Sequence, residues 1–460
     1  MSGSRRYVIV AAVVAALAGL LFGHDTGVIS GALLYLKKDF GLSSGMQEVV
    51  TASVLAGAVI GAAISGMITD ALGRRRVLFV MAVIFTVGSG GEALSGSVGW
   101  LIAFRTLVGV AIGVASFVAP MYNAEMAPTK IRGSLVSFNQ LAITTGILAA
   151  YLLNDLFAPS GNWRAMFAVG IAPAVALGIG MLFLPESPRW LIDHDREDEA
   201  RKVLSRIHGS DGIDDRVERV RSSLQKQHRA GWAPLLQKPL NVVLYIGIGL
   251  AIVQQVTGIN TVIYYAPTIF QFANVKSSAA AIWATTGVGV VNVGMTIVAV
   301  WLLDKVGRRP LLLIGLAGMV VGLTALGFGF YAGSGASWLS TMTAASLMFY
   351  VAAFAIGLGP VFWLLISEIY PQRVRGRAMS VATLFNWGSN LVVTVTFLSI
   401  SKAIGKAPTF WGYAGVSVLG LIFCFLAVPE TKDRSLEEIT DAWYEDRGQP
   451  GRRLGETSSA

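Results

Sequence analysis

Gly66-Met-Ile-Thr-Asp70-Ala-Leu-Gly73-Arg74-Arg75-Arg76 is answered, 234 residues further on, by Asp304-Lys-Val-Gly307-Arg308-Arg309. Each stretch closes a long apolar run with a carboxylate, a glycine and an arginine cluster, and each opens another apolar run. Two more echoes follow in the same order. Glu125-Met-Ala-Pro-Thr-Lys-Ile-Arg132-Gly133 returns as Glu368-Ile-Tyr-Pro-Gln-Arg-Val-Arg375-Gly376, and Pro185-Glu186-Ser187 returns as Pro429-Glu430-Thr431. Offsets that stay within ten residues of one another over three motifs are the mark of a duplicated unit, with two halves in parallel order.

The chain around these echoes is apolar. Of 460 residues 54% are hydrophobic and only 14% charged, with a mean hydropathy of +0.63. A soluble domain carries about a quarter charged residues, so the composition excludes one and implies an integral membrane protein. Runs of about 20 apolar residues, each enough to cross the hydrocarbon layer, lie near 7–35, 47–69, 77–95, 98–121, 132–153 and 163–184. They resume near 240–271, 279–303, 310–332, 340–366, 378–400 and 408–428. The expected organisation is therefore a six-helix bundle over 1–184, a polar helical linker over 185–239, a second bundle over 240–428 and a tail over 429–460.

The formal charge of +9 raises the question of nucleic acid, and the placement of the basic residues answers it. With the amino terminus placed in the cytoplasm, Lys37, Lys38, Lys276, Lys402 and Lys406 fall outside, and Arg105 and Arg164 fall at or within spans. The remaining 29 of the 36 Lys and Arg fall inside. This bias orients a membrane protein and places both termini and the linker in the cytoplasm; no nucleic-acid partner is implied. The single cysteine, Cys424, lies within the last apolar run and forms no intramolecular disulfide. The first run carries Asp25 and is too long for a signal peptide, so it is expected to remain as the first helix. Within the linker, Asp198 to Ile207 shows apolar residues at helical spacing, predicting two or three short surface helices that serve either as a solvated connection or as a latch. A similar helical pattern appears over Ser435–Asp441, and disorder is expected from about Arg447.

Glycines cluster within the apolar runs, at Gly57, Gly61, Gly109 and Gly113 among others, where small residues allow close helix packing in lipid. Gly357-Leu-Gly359-Pro360 is different, because Gly and Pro together free backbone groups and permit bending. It is a candidate hinge.

The combined motifs resemble the sugar porters of the major facilitator superfamily, which include bacterial xylose, galactose and glucose proton symporters and animal glucose facilitators. The likeness runs from Phe22-Gly-His-Asp-Thr-Gly-Val-Ile-Ser-Gly31 through Pro185-Glu-Ser-Pro-Arg-Trp190 and Gln254-Gln255-Val-Thr-Gly258-Ile-Asn260 to Pro429-Glu-Thr431. It implies an all-α fold of twelve membrane helices in two pseudo-symmetric halves, alternating access about a midplane site, and no chemical conversion of the substrate. It also implies an ion-pair network on the cytoplasmic side, formed by Asp70, Arg74, Arg75, Asp304, Arg308 and Arg309 with Glu125, Arg132, Glu186, Arg189, Glu368, Arg375 and Glu430. Such a network would hold that side shut; the bland alternative is that these arginines only obey the inside-positive bias.

Within the spans, Asp25 stands at membrane depth, where an ionisable side chain costs about 2.5 to 3.5 kcal/mol on insertion scales and is a functional candidate by default. Arg105 on the fourth span is its natural partner, and proton binding to Asp25 weakens such a pair. Proton symporters that this chain resembles carry Asp at this position, whereas the facilitators tend to carry Asn. His24 departs from the family pattern and reads either as a proton relay or as a packed histidine.

A sugar requires amide side chains for its hydroxyls and aromatic faces for its ring. Gln140, Gln254, Gln255, Asn260, Asn292, Asn386 and Asn390 are amides at membrane depth, and Trp363 and Trp387 supply aromatic faces. The resemblance places Gln140, Gln254, Gln255, Asn260, Asn292 and Trp363 at sugar-contacting positions; the alternative is helix-to-helix bonding by some of them. By the same resemblance, Tyr264 and Tyr265 belong to a mobile outer half-helix and are candidates for a lid. The expected function is proton-coupled symport of a hexose or pentose by a monomer, with the proton as coupling ion and no cofactor or metal. An uncoupled uniporter of sugar or polyol, and a non-transporting sugar sensor, are the alternatives. The absence of an Asn-X-Ser/Thr sequon points to a bacterial inner membrane.

Overall fold

The computed structural model describes residues 3–127, 132–209, 212–229, 233–332, 336–371 and 374–432. The side chains of Arg132 and Asp304 and the tail helix expected over Ser435–Asp441 lie outside what is described. The long helices of the first half are α1 (Gly3–Asp39), α2 (Ser44–Leu72), α3 (Arg74–Leu94), α4 (Val98–Met126), α5 (Arg132–Phe157) and the pair α6 (Trp163–Ala168) and α7 (Ile171–Phe183). The linker forms α8 (Pro188–Asp193), α9 (Glu197–His208) and α10 (Ile213–Arg229), the three short helices at the upper end of expectation. The second half comprises α11 (Leu240–Val256), α12 (Ile259–Phe272), α13 (Ser278–Val306), α14 (Arg308–Ala332), α15 (Leu339–Ile356), α16 (Leu358–Glu368), α17 (Arg375–Ile404) and α18 (Lys406–Ala427). Among the described residues, twelve spans are long and apolar enough to cross a membrane, with α6–α7, α11–α12 and α15–α16 each counted as one. The chain divides after Lys226, within α10, into two compact units, so that most of the linker packs with the first.

The duplication seen in the motifs extends to the packing. In the first unit α2 lies along α4, α1 along α5, α3 along α4 and α7; in the second, α13 lies along α15, α11 along α17, α14 along α15 and α18. Lipid offers apolar side chains no incentive to leave it, so close backbone contact must hold such helices together. Glycines provide that contact. A Cβ on Gly57 or Gly61 would collide with the carbonyls of Thr106 or Val110 on α4, and one on Gly109 or Gly113 with those of Val54 or Ala58 on α2. Large apolar residues remain exposed along the spans, among them Ile60, Val87, Leu182, Val321 and Phe425. On a soluble protein such a belt would drive aggregation; facing lipid it costs nothing.

In the second unit two spans are interrupted where the sequence carries glycine. Gly258, at φ 92°, separates α11 from α12, and Gly357 separates α15 from α16. Gly357 also packs against α14, since a Cβ there would come within 2.8 Å of the Gly315 Cα. Pro360 enters early in α16, where its missing N–H has no helical partner to lose. The break in the sixth span, between Ala168 and Ile171, has no counterpart in the expectation from sequence.

Candidate functional site

In the first unit three ionisable side chains meet far from water. Arg105 of α4 is wholly buried, and its Nη2 lies 3.6 Å from Asp25 Oδ2 of α1 while its Nη1 lies 3.5 Å from Glu92 Oε1 of α3. Both carboxylates are at least 95% buried. The Arg105 Nε donates to the Val50 carbonyl of α2 at 2.9 Å, and the guanidinium stands 5.5 Å from the Phe167 ring centroid. One arginine therefore joins elements from α1, α2 and α3 to α4. The expected pairing of Asp25 with Arg105 is present, at a separation that makes it an ion pair rather than a tight hydrogen bond. Glu92 is the residue that sequence reasoning passes over, although the signal that singles out Asp25, an ionisable group within an apolar run, applies to it as well.

His24 is buried beside Asp25, and a Cβ on Gly170 would come within 3.2 Å of its ring, so it fills a close contact between α1 and the break after α6. Gln140 of α5 is half-buried.

In the second unit the amides form a connected cluster around the Gly258 break. Asn386 Nδ2 donates to Gln254 Oε1 at 2.6 Å and to the Ala251 carbonyl at 3.3 Å. Gln255 Nε2 donates to Asn386 Oδ1 at 3.0 Å, and Asn260 Nδ2 to Gln255 Oε1 at 2.7 Å. Gln254 Nε2 reaches the Leu358 carbonyl at 3.1 Å, beside the Gly357 break. The two interrupted spans are thus tied to each other and to α17 by side chains, and the helix-to-helix role considered for these amides is occupied by Gln254 and Asn386 in particular. Asn260, at the edge of the cluster, is only partly buried.

Asn390 Nδ2 lies 3.5 Å from the Tyr264 hydroxyl, and Tyr265 donates to the Thr394 carbonyl at 3.2 Å, so both candidate lid tyrosines of α12 are held to α17. Asn292 and Trp387 are buried, and Trp363 is half-buried with its ring edge-on to Phe362, centroids 4.8 Å apart. A Cβ on Gly359 would meet the Phe354 ring at 3.1 Å.

The motif pairs form the same structure twice. Arg74 contacts Glu125, and Arg308 contacts Glu368 with Nη2 at 3.0 Å. Ser187 and Thr431 donate to those same carboxylates. Glu186 and Glu430, expected as arginine partners, instead accept backbone N–H groups, from Arg74, Arg75 and Ser187 in one half and from Arg308, Arg309, Thr431 and Lys432 in the other. Backbone donors at a helix start are a natural carboxylate site. Burial raises the Glu186 carboxyl above the ordinary carboxylate value, and these N–H bonds pull it back.

The second arginine of each pair takes carbonyls rather than carboxylates, Arg75 those of Met181 and Leu182 and Arg309 that of Phe425. Asp70 has a solvent-exposed carboxylate 4.0 Å from Arg74 Nη1, and its carbonyl accepts the Trp190 indole N–H. Arg189 is half-buried on α8, and Arg375 Nε donates to the Tyr370 carbonyl at 3.2 Å. Gly73 and Gly307 adopt φ 88° and 104°, and a Cβ on Gly307 would come within 2.8 Å of Glu430 Oε2, so each turn requires glycine for both backbone and space.

A family model described as sugar (and other) transporter matches residues 11–443. The chain belongs to the sugar transporter family. Among its members the galactose-proton symporter of Escherichia coli K12 is 41% identical over 428 residues, which cover 92% of each chain. The putative metabolite transport protein YwtG of Bacillus subtilis is 40% identical over 439 residues, 95% of each. Among solved structures, the partially occluded inward-open xylose transporter XylE from E. coli superposes with a TM-score of 0.83 at 34% identity, covering 94% of this chain and all of that one. The protein is thus a multi-pass membrane transporter with the major facilitator fold, and not an enzyme.

Proposed function

We propose that the protein is a proton-coupled symporter of a monosaccharide, hexose or pentose, working by alternating access, with Asp25 as the proton site and Arg105 as its partner. The observation that carries this reading is the Asp25–Arg105 pair itself, an aspartate and an arginine buried against one another in a span. Breaking a buried pair by removing one charge is costly. Protonation of Asp25 does so reversibly, and it releases one of the ties between α1 and α4. The conformation of the helices can thereby depend on whether a proton is bound, which is the minimum that coupling requires.

The amide cluster of the second unit supports sugar as the substrate, with Gln255, Asn260, Asn292 and Trp363 as the contacts that unit offers; within the first unit, Gln140 of α5 is the amide read as a sugar contact. Gln254 and Asn386 hold Gln255, and through it Asn260, in place, and Asn390 and Trp387 are read as further sugar contacts. Close relatives include symporters named for galactose and arabinose, and a solved relative named as a proton:xylose symporter holds 6-bromo-6-deoxy-D-glucose. The basic residues favour both termini in the cytoplasm, and each polypeptide carries a full set of the residues named, so the working unit is a monomer.

The test is uptake of a radiolabelled panel of hexoses, pentoses and polyols into proteoliposomes with an imposed inward proton gradient. Accumulation of one sugar only under the gradient is the expected result. Equal uptake with and without it would make the protein a uniporter, and failure to transport or bind any sugar would remove the substrate class.

A further inference from the structure

Arg105 faces two carboxylates, and only one of them has a role so far. Asp25 Oδ2 and Glu92 Oε1 approach different nitrogens of one guanidinium, at 3.6 Å and 3.5 Å, from different helices. With all three groups ionised the cluster carries a net negative charge, inside a bundle where Arg105 has no exposed surface and Glu92 almost none. A buried uncompensated charge is too expensive to leave standing.

Among the described residues, the surrounding elements offer no second cation at the cluster. On α1 the other titratable neighbour is His24, and α2 contributes the buried Glu48. α5 carries Arg132 as its first residue, 19 positions before Tyr151 and 23 before Asp155, and α7 has no titratable group. Arg164 of α6 directs Nη2 to the Ser95 carbonyl at 3.3 Å and lies over the Trp163 ring. α9 meets α1 at Tyr7, which Arg206 contacts, about 27 Å along the helix from Asp25, and the start of α8 meets α4 at Glu125, which Ser187 contacts, about 30 Å along the helix from Arg105. One added proton brings the cluster to zero net charge.

We propose that Glu92 is a positioning carboxylate of the proton site, sharing both Arg105 and one proton with Asp25, so that the proton-loaded cluster is the neutral one. This rests on the reading of Asp25 as the coupling site and deepens it. Asp25 joins α1 to α4, whereas Glu92 joins α3 to α4. A proton on Asp25 therefore leaves Arg105 paired with Glu92, and the guanidinium stays neutralised when α1 is released. The proton enters from water onto a carboxylate oxygen and leaves by the same atoms, with no other bond made or broken.

Infrared spectroscopy of the reconstituted protein reads the shared proton directly, as the C=O stretch of a protonated carboxyl at neutral pH. The native protein is expected to show that band, and Glu92→Gln and Asp25→Asn are each expected to lose it, because a single carboxylate beside Arg105 stays ionised. Glu92→Asp, which keeps the charge, is expected to restore it. In transport, half-maximal gradient-driven accumulation by Glu92→Gln is expected to move to acid by about one pH unit, a tenfold change in proton concentration, with Glu92→Asp close to native.

A band that persists in Glu92→Gln, or a pH profile unchanged by that substitution, would overturn the proposal. If the band follows the expected pattern but no gradient drives accumulation, the shared proton stands and the coupling reading falls.

Discussion

Arg74 and Glu125 meet fork to fork, with Nε 2.9 Å from Oε2 and Nη2 3.0 Å from Oε1, across 51 residues of chain. Arg308 and Glu368 repeat the arrangement 60 residues apart, with Nε and Nη2 donating to the two oxygens at 3.2 and 3.0 Å. These pairs are largely shielded from solvent, so they retain more of their attraction than a surface ion pair does. A double-mutant cycle with Arg74→Gln and Glu125→Gln, read as thermal stability in detergent, is expected to give a coupling of about 1 to 3 kcal/mol. A coupling near zero would mean that the pair contributes nothing within its half.

Close backbone approach makes a second prediction. Gly109→Ala places a methyl group against the Val54 carbonyl and is expected to destabilise the protein by about 1 to 3 kcal/mol. Gly66→Ala and Gly294→Ala meet nothing within 4 Å and are expected to be tolerated. Melting temperatures of the three variants, measured side by side, check the contrast.

Asn386 is bonded to both Gln254 and Gln255, so Asn386→Ala takes the donor from Gln254 Oε1 and the acceptor from Gln255 Nε2. An unsatisfied buried polar group costs about 1 to 3 kcal/mol, and the loss here falls on the groups that orient Gln255 and Asn260. The transported sugar's Kd is expected to rise tenfold or more in equilibrium binding. An unchanged Kd would show the cluster to be a helix tie alone.

The linker responds to acid and salt by a different route. Glu197 and Glu199 sit below the ordinary carboxylate value, chiefly through hydrogen bonds from Arg201 and Arg196. A lowered carboxyl stabilises the fold above its unfolded value and loses that contribution as pH falls through its folded value. Hydrogen-exchange protection in α9 and α10, taken relative to the intrinsic rate at each pH, is therefore expected to fall below about pH 4 and with added salt at neutral pH, since these pairs are exposed. The spans around Arg105 are expected not to respond to salt.

The twelve spans, the duplication and the Asp25–Arg105 pair are legible in the sequence because each rests on a local signal: apolar length, a repeated motif, or an ionisable residue where lipid forbids one. Gly357, close to Pro360, is legible as a break for the same reason. Glu92 is harder to see, since it stands close to the end of its run, just before Ser95-Gly96-Ser97, and passes for an interfacial residue. The sequence also favours matching arginines with carboxylates, whereas Arg75 and Arg309 cap carbonyls and Glu186 and Glu430 bind backbone N–H groups. Backbone donors have no letter in a sequence. The amide cluster joins residues more than 130 apart, and which amide orients another and which is left for a ligand depends on packing that composition does not encode.

The most direct test of the central claim compares the native protein with Asp25→Asn in proteoliposomes carrying an inward proton gradient, using a sugar the native protein transports. The account predicts that the native protein concentrates the sugar several-fold inside, while Asp25→Asn brings it only to equilibrium and still exchanges labelled for unlabelled sugar. Gradient-driven accumulation by Asp25→Asn equal to that of the native protein would contradict it.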